Sequence, residues 1–141
     1  MSIGILLITH GTIGASLLAT ASRMLGGECP TPTAVLAVTD ETRRDQLEVE
    51  ALDLAQRLDQ GDGVLVLTDL YGSTPANIAC SLQGKMGALR ILAGLNLPML
   101  VRALNYACLP LDDLVLKAET GGRDGVLSCS RQEAANRGEG L

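Results

Sequence analysis

The run Ile3-Gly-Ile-Leu-Leu-Ile8 constrains this chain more than any other stretch. It has no polar position, so it fits neither the alternation of a half-exposed strand nor the stripe of a surface helix. It reads as a strand covered on both faces. Ala34-Val-Leu-Ala-Val38 and Val64-Leu-Val-Leu-Thr68 read as further strands of the same kind, and Leu89 to Ala93 as a fourth strand. All are too short to span a bilayer.

Between these runs apolar residues recur at helical spacing. Ile13, Leu17, Leu18, Ala21, Met24 and Leu25 mark the first helix, with Gly26-Gly27 as its stop. The second carries Leu47, Ala51, Leu54, Ala55 and Leu58 on one face, with Asp40 or Thr42 as its expected cap. A third starts at Thr74, with Pro75 as its first helical residue, and runs toward Gln83. Met99, Leu100, Ala103, Leu104 and Ala107 outline a fourth, and a fifth is expected between Leu111 and Thr120, closed by Gly121-Gly122. Strands alternating with helices call for an α/β fold: a mostly parallel sheet covered by helices through right-handed crossovers. The expected strand order is the flavodoxin-like 2-1-3-4, with Gly125 to Cys129 as a C-terminal extra strand. A single domain over residues 1–130 and a disordered tail over 131–141 complete this expectation.

Composition narrows the function classes. The chain is 47% hydrophobic yet has no Phe or Trp and two Tyr, so the stacking residues of single-stranded nucleic-acid binders are missing. A net charge of −5 argues in the same direction, against a phosphate-backbone partner. No basic, cleavable leader is visible at the N-terminus, which gives a cytoplasmic expectation without membrane insertion. Cys29, Cys80, Cys108 and Cys129 are scattered without a C-x-x-C pair and read as reduced thiols.

Chemistry concentrates where the apolar runs end. Thr9-His-Gly-Thr12 contains His10, the only histidine, and Asp69 opens the turn after the third strand. If strands one and three are neighbours, these two emerge about 5 Å apart in strand spacing at the sheet edge where α/β proteins bind ligands. An aspartate that accepts from one ring nitrogen fixes the tautomer and leaves the other as a nucleophile. Helix N-termini behind Gly11 and at Thr74 offer N–H groups to an anion, most naturally a phosphoryl group, so Gly11, Thr12, Ser73 and Thr74 are the candidate phosphoryl-binding residues. Neither a carboxylate cluster for magnesium nor a nucleotide-binding glycine loop is visible, and no cofactor or metal is expected.

Four blocks, Ile8-Thr-His-Gly11, Asp69-Leu-Tyr-Gly-Ser-Thr-Pro-Ala-Asn77, Gly94-Leu-Asn-Leu-Pro-Met-Leu100 and Glu119-Thr-Gly-Gly-Arg-Asp-Gly125, resemble in order the IIA domain of mannose/fructose-type phosphoenolpyruvate-dependent sugar phosphotransferase systems. The resemblance implies a phosphocarrier whose histidine, here His10, takes a phosphoryl group from the carrier protein HPr and passes it to a IIB partner. It also implies that Asp69 orients the imidazole, that Thr74 supplies the hydroxyl of the family's Ser-Pro element, and that the protein is a homodimer. The chain departs from the pattern where Thr74 replaces serine, Tyr71 stands where tryptophan is common, and Ala76 stands where a larger aromatic is common. Its last glycine block is one residue longer.

Other readings stay open on sequence alone. The histidine could report phosphotransferase status to a regulatory target instead of serving sugar transport. A dihydroxyacetone-kinase phosphocarrier is a second possibility, although that pattern favours serine where this chain has Gly11. A small-molecule binder of flavodoxin type is a third.

Overall fold

The computed structural model describes residues 2–26 and 31–129. Four strands form one parallel sheet: β1 (Gly4–His10), β2 (Thr33–Val38), β3 (Val64–Thr68) and β4 (Leu89–Ala93), in the order β2-β1-β3-β4. The helices are α1 (Ile13–Met24), α2 (Arg44–Leu58), α3 (Thr74–Cys80), α4 (Leu97–Asn105) and α5 (Leu111–Asp124). This is the α/β architecture and strand order expected from the sequence.

β1 is apolar from Gly4 to Ile8 because it is central. Ile5, Leu6, Leu7 and Ile8 have no exposed surface. Strand alternation then divides the core. Ile3, Ile5 and Leu7 join Leu65 and Leu67 in packing against α1, α4 and α5. Leu6 and Ile8 join Val64 and Val66 in packing against α2 and α3. Two layers of helix around a doubly buried sheet leave the carboxyl ends of β1 and β3 at one open mouth.

Several local expectations are corrected. Neither Asp40 nor Thr42 caps α2; the chain is still extended at Arg43, and Asp45 supplies the negative charge of the first turn while accepting from the Gln46 N–H at 2.9 Å. Ser73, not Thr74, takes the N-cap position of α3. That helix ends at Cys80, short of Gln83, because the following amides of Leu82, Gln83 and Lys85 bond three residues back, as in tighter turns.

α5 does not stop at Gly121-Gly122 but passes through them to Asp124. These glycines serve close packing: an added Cβ would lie 2.9 Å from Arg102 Cβ at Gly121 and 2.8 Å from Met99 Cε at Gly122. Close approach to α4 is worth more here than the helix propensity lost. The extra strand is absent as well. Residues 126–129 belong to no strand, and Gly125 packs against Pro98 at the start of α4. The Cys29-Pro30 part of the linker, the second glycine of the Gly26-Gly27 stop and the tail over 131–141 lie outside the described residues.

Candidate functional site

His10 is the last residue of β1 and Asp69 the first after β3, and the parallel register Ile8↔Thr68 brings the two strand ends level. A single carboxylate oxygen holds the histidine twice. Asp69 Oδ2 accepts the His10 backbone N–H at 3.0 Å and lies 2.9 Å from Nδ1 of the ring. An ionised carboxylate can only accept, so Nδ1 carries the proton and Nε2 presents its lone pair. The side chains are unequally exposed, 46% for His10 and 10% for Asp69. The ring thus faces solvent on a largely buried anchor.

Burial alone would push the Asp69 carboxyl pKa up. The His10 backbone bond, the ring bond and the attraction of the ring outweigh it, and the group is held below the ordinary carboxylate value. Asp69 Oδ1 is buried and has no hydrogen-bond partner among the described residues. It belongs to the wall of a cleft of about 640 Å³ that Asn96, Glu119, Gly122 and Arg123 also line.

The turn after His10 is pinned from below. Gly11 adopts φ +47, a conformation that L side chains rarely take, and its N–H donates to Val38 O at 2.9 Å. Gly11 therefore shapes the turn, and its amide is already spent on the β2 backbone. Thr12 is exposed just before α1. Across the mouth, the Ser73 hydroxyl donates to Leu70 O at 2.6 Å, closing the turn that follows Asp69, while Thr74 is exposed as the first residue of α3. The structure joins His10 to Asp69 directly and sets Gly11, Thr12, Ser73 and Thr74 on the two turns flanking them.

Two positioning residues escaped the sequence reading. Thr9 is fully buried, and its Oγ1 accepts the Gly14 N–H at 2.9 Å, tying the first turn of α1 to the strand end that carries His10. A polar residue inside a doubly buried strand was the available signal. Asn96 caps α4 by accepting from Met99 N at 2.9 Å and donates through Nδ2 to Gly122 O at 2.9 Å. Its place directly before Leu-Pro at a helix start pointed to a cap. Among the described residues there is no group of three or more His, Cys, Asp or Glu that could hold a metal, and no helix long and apolar enough to cross a membrane.

Comparisons with known proteins converge on one family. Residues 4–117 match the family model described as the PTS system fructose IIA component. The chain is 35% identical over 128 residues to the PTS system mannose-specific EIIAB component of Escherichia coli (strain K12); the match covers 89% of this chain and 39% of that one. The chain thus spans about two fifths of the length of the curated relatives it matches. Among solved structures, the mannose/sorbose specific IIA subunit of the phosphotransferase system from Enterococcus faecalis superimposes with a TM-score of 0.81 at 28% identity, covering 92% of this chain and 96% of that one. The phosphotransferase system component EIIA from Streptococcus agalactiae gives 0.80 at 25% identity, covering 89% and 96%.

Proposed function

Because the chain belongs to the PTS fructose IIA component family, we propose that it is a cytoplasmic phosphocarrier that accepts a phosphoryl group on His10 from HPr and passes it to a IIB partner. A transferase role within a mannose/fructose-type phosphotransferase system follows from the family itself. The donor, the acceptor and the residue roles are our reading. The observation that carries it is the bonding of both the His10 amide and Nδ1 to one oxygen of Asp69.

In this reading Nε2 attacks the phosphorus of the donor's phosphohistidine in line. The new N–P bond forms as the donor's N–P bond breaks, and that electron pair returns to the donor ring. Asp69 holds the Nδ1 proton throughout and stabilises the positive charge that develops on the ring. The second transfer repeats the exchange toward the IIB nucleophile. Phosphoryl oxygens would meet the Thr12 and Thr74 hydroxyls and the exposed first turn of α1.

The acting unit in this reading is a homodimer. β4 is an edge strand, and the segment after α5 carries Val126 and Leu127 exposed at 78% and 45%. A free sheet edge and an exposed apolar pair on the same chain suit pairing with a second copy.

The decisive experiment supplies phosphoenolpyruvate, the first enzyme of the system and HPr. One label per chain is expected at His10, as a phosphoramidate stable to base and lost in acid. Label retained in His10→Ala, or released by hydroxylamine as an acyl phosphate, would move the chemistry to Asp69.

A further inference from the structure

A second cavity lies on the other side of β4 from the Asp69 cleft. Its volume is about 350 Å³, and it is lined by residues of β3, α3 and β4 together with Tyr71 and Gly72 of the turn after Asp69 and Gln83 beyond α3. Ile91 on its wall packs with the core on the α2 and α3 side, whereas the neighbouring Leu92 packs with the opposite core. The cavity shares Tyr71, Leu92 and Ala93 with the Asp69 cleft, but neither His10 nor Asp69 lines it, and the inference drawn from it does not depend on the phosphocarrier reading.

Three features of the lining point to a ligand. Thr68 forms part of it, is fully buried, and has an Oγ1 without any hydrogen-bond partner among the described residues. Val64 and Val66 pack on the α3 side, so alternation along β3 turns Thr68 the same way, into the cavity. A buried hydroxyl left unpaired costs stability, and an occupant that pairs with it recovers that cost. Ala76 is also in the wall, and its methyl group leaves the space open. Finally, the lining contains no Asp, Glu, Lys or Arg; beyond Thr68 its polar groups are all uncharged, the amides of Asn77 and Gln83, the phenol of Tyr71 and the thiol of Cys80.

We propose that this cavity binds a small uncharged molecule with an apolar body and one hydroxyl group, the hydroxyl pairing with Thr68 Oγ1. A charged ligand would have to shed water without gaining a countercharge. The cavity volume falls in the range of small-molecule sites, which combine an apolar lining with a few placed polar groups.

The test titrates benzyl alcohol into the ¹⁵N-labelled full chain and follows the amide spectrum. Saturable shifts centred on Thr68, Ala76, Asn77, Cys80 and Ile91 are expected, with a midpoint on the order of 1 mM. Benzoate, the same ring carrying a charge, is expected to produce none. Ala76→Phe should fill the space and abolish the shifts. Thr68→Val should weaken binding by about fivefold while raising the thermal midpoint, since it removes an unpaired polar atom. Shifts that stay linear to about 50 mM, that benzoate reproduces, or that Thr68→Val leaves unchanged would overturn the proposal. The valine variant keeps the test decisive even where the phenylalanine variant does not fold.

Discussion

The hydroxyl oxygen of Thr9 accepts the amide of Gly14 at 2.9 Å, and there is no room between them for a methyl group, since a Cβ on Gly14 would lie 2.5 Å from that oxygen. Strand and helix are thereby locked on either side of His10. Gly14→Ala must push α1 away from β1 and is expected to cost about 1–3 kcal/mol. Urea unfolding measures it, and a loss within error of zero would mean that α1 is free to slide. Thr9→Val keeps the shape but orphans the Gly14 N–H, at about 1–3 kcal/mol, whereas Thr9→Ser should retain most of the stability.

Asp69→Asn tests the ring anchor. The amide can still accept the His10 backbone N–H, but it no longer stabilises a positive imidazole, so phosphoryl transfer should slow by about a hundredfold or more with the fold intact. Rapid-quench measurement of His10 labelling reads the rate. An unchanged rate would remove Asp69 from the mechanism.

The same carboxylate makes stability depend on pH. Its folded pKa lies below the ordinary value, so the stabilisation is fully present above the unfolded value of about 4. It is lost as pH falls through the lowered folded value. The unfolding free-energy difference between wild type and Asp69→Asn should be flat from neutral pH down to about 5 and narrow below that. A difference that does not change with acidification would show that the folded and unfolded pKa values coincide.

Asn96 serves two helices at once, as cap of α4 and donor to α5. Asn96→Ala should therefore cost more than an isolated cap, about 1–2 kcal/mol. Asn96→Asp retains the cap acceptor and loses the Gly122 bond, and it should fall between the two in thermal melts.

Self-association should depend on the segment after α5. Val126→Asp with Leu127→Asp places charge on the exposed apolar residues and should lower the mass seen by light scattering from that of a dimer to that of a monomer, without changing the helical circular dichroism. A wild-type chain that is monomeric at micromolar concentration would dismiss the dimer.

β3 was legible because burial on both faces leaves a compositional mark, the run Val64–Thr68; β4, a half-buried edge strand with Arg90 exposed, still begins and ends where Leu89–Ala93 was read as a strand. The His10–Asp69 pair was legible too, since a parallel sheet with β1 beside β3 sends both residues to one mouth. What escaped depends on tertiary approach. Gly121 and Gly122 look like a helix stop in the local sequence, and only the closeness of α4 shows why glycine is tolerated inside α5. Thr9 resembles any polar strand end until the helix that it caps is in place. The Gly125 to Cys129 segment was read as a strand from its local sequence, and residues 126–129 form none.

Tyr71 is 87% exposed on the turn after Asp69, while Tyr106, at the far end of α4, lies beneath the Lys117 ammonium at 4.9 Å from the ring centre. With no tryptophan in the chain, these two phenols are its whole near-ultraviolet chromophore of consequence, one at the phosphoryl mouth and the other at the opposite end. The molecule therefore carries its own optical probe: covering the mouth with another surface should change the Tyr71 share of the summed tyrosine emission, and Tyr71→Leu should remove that change.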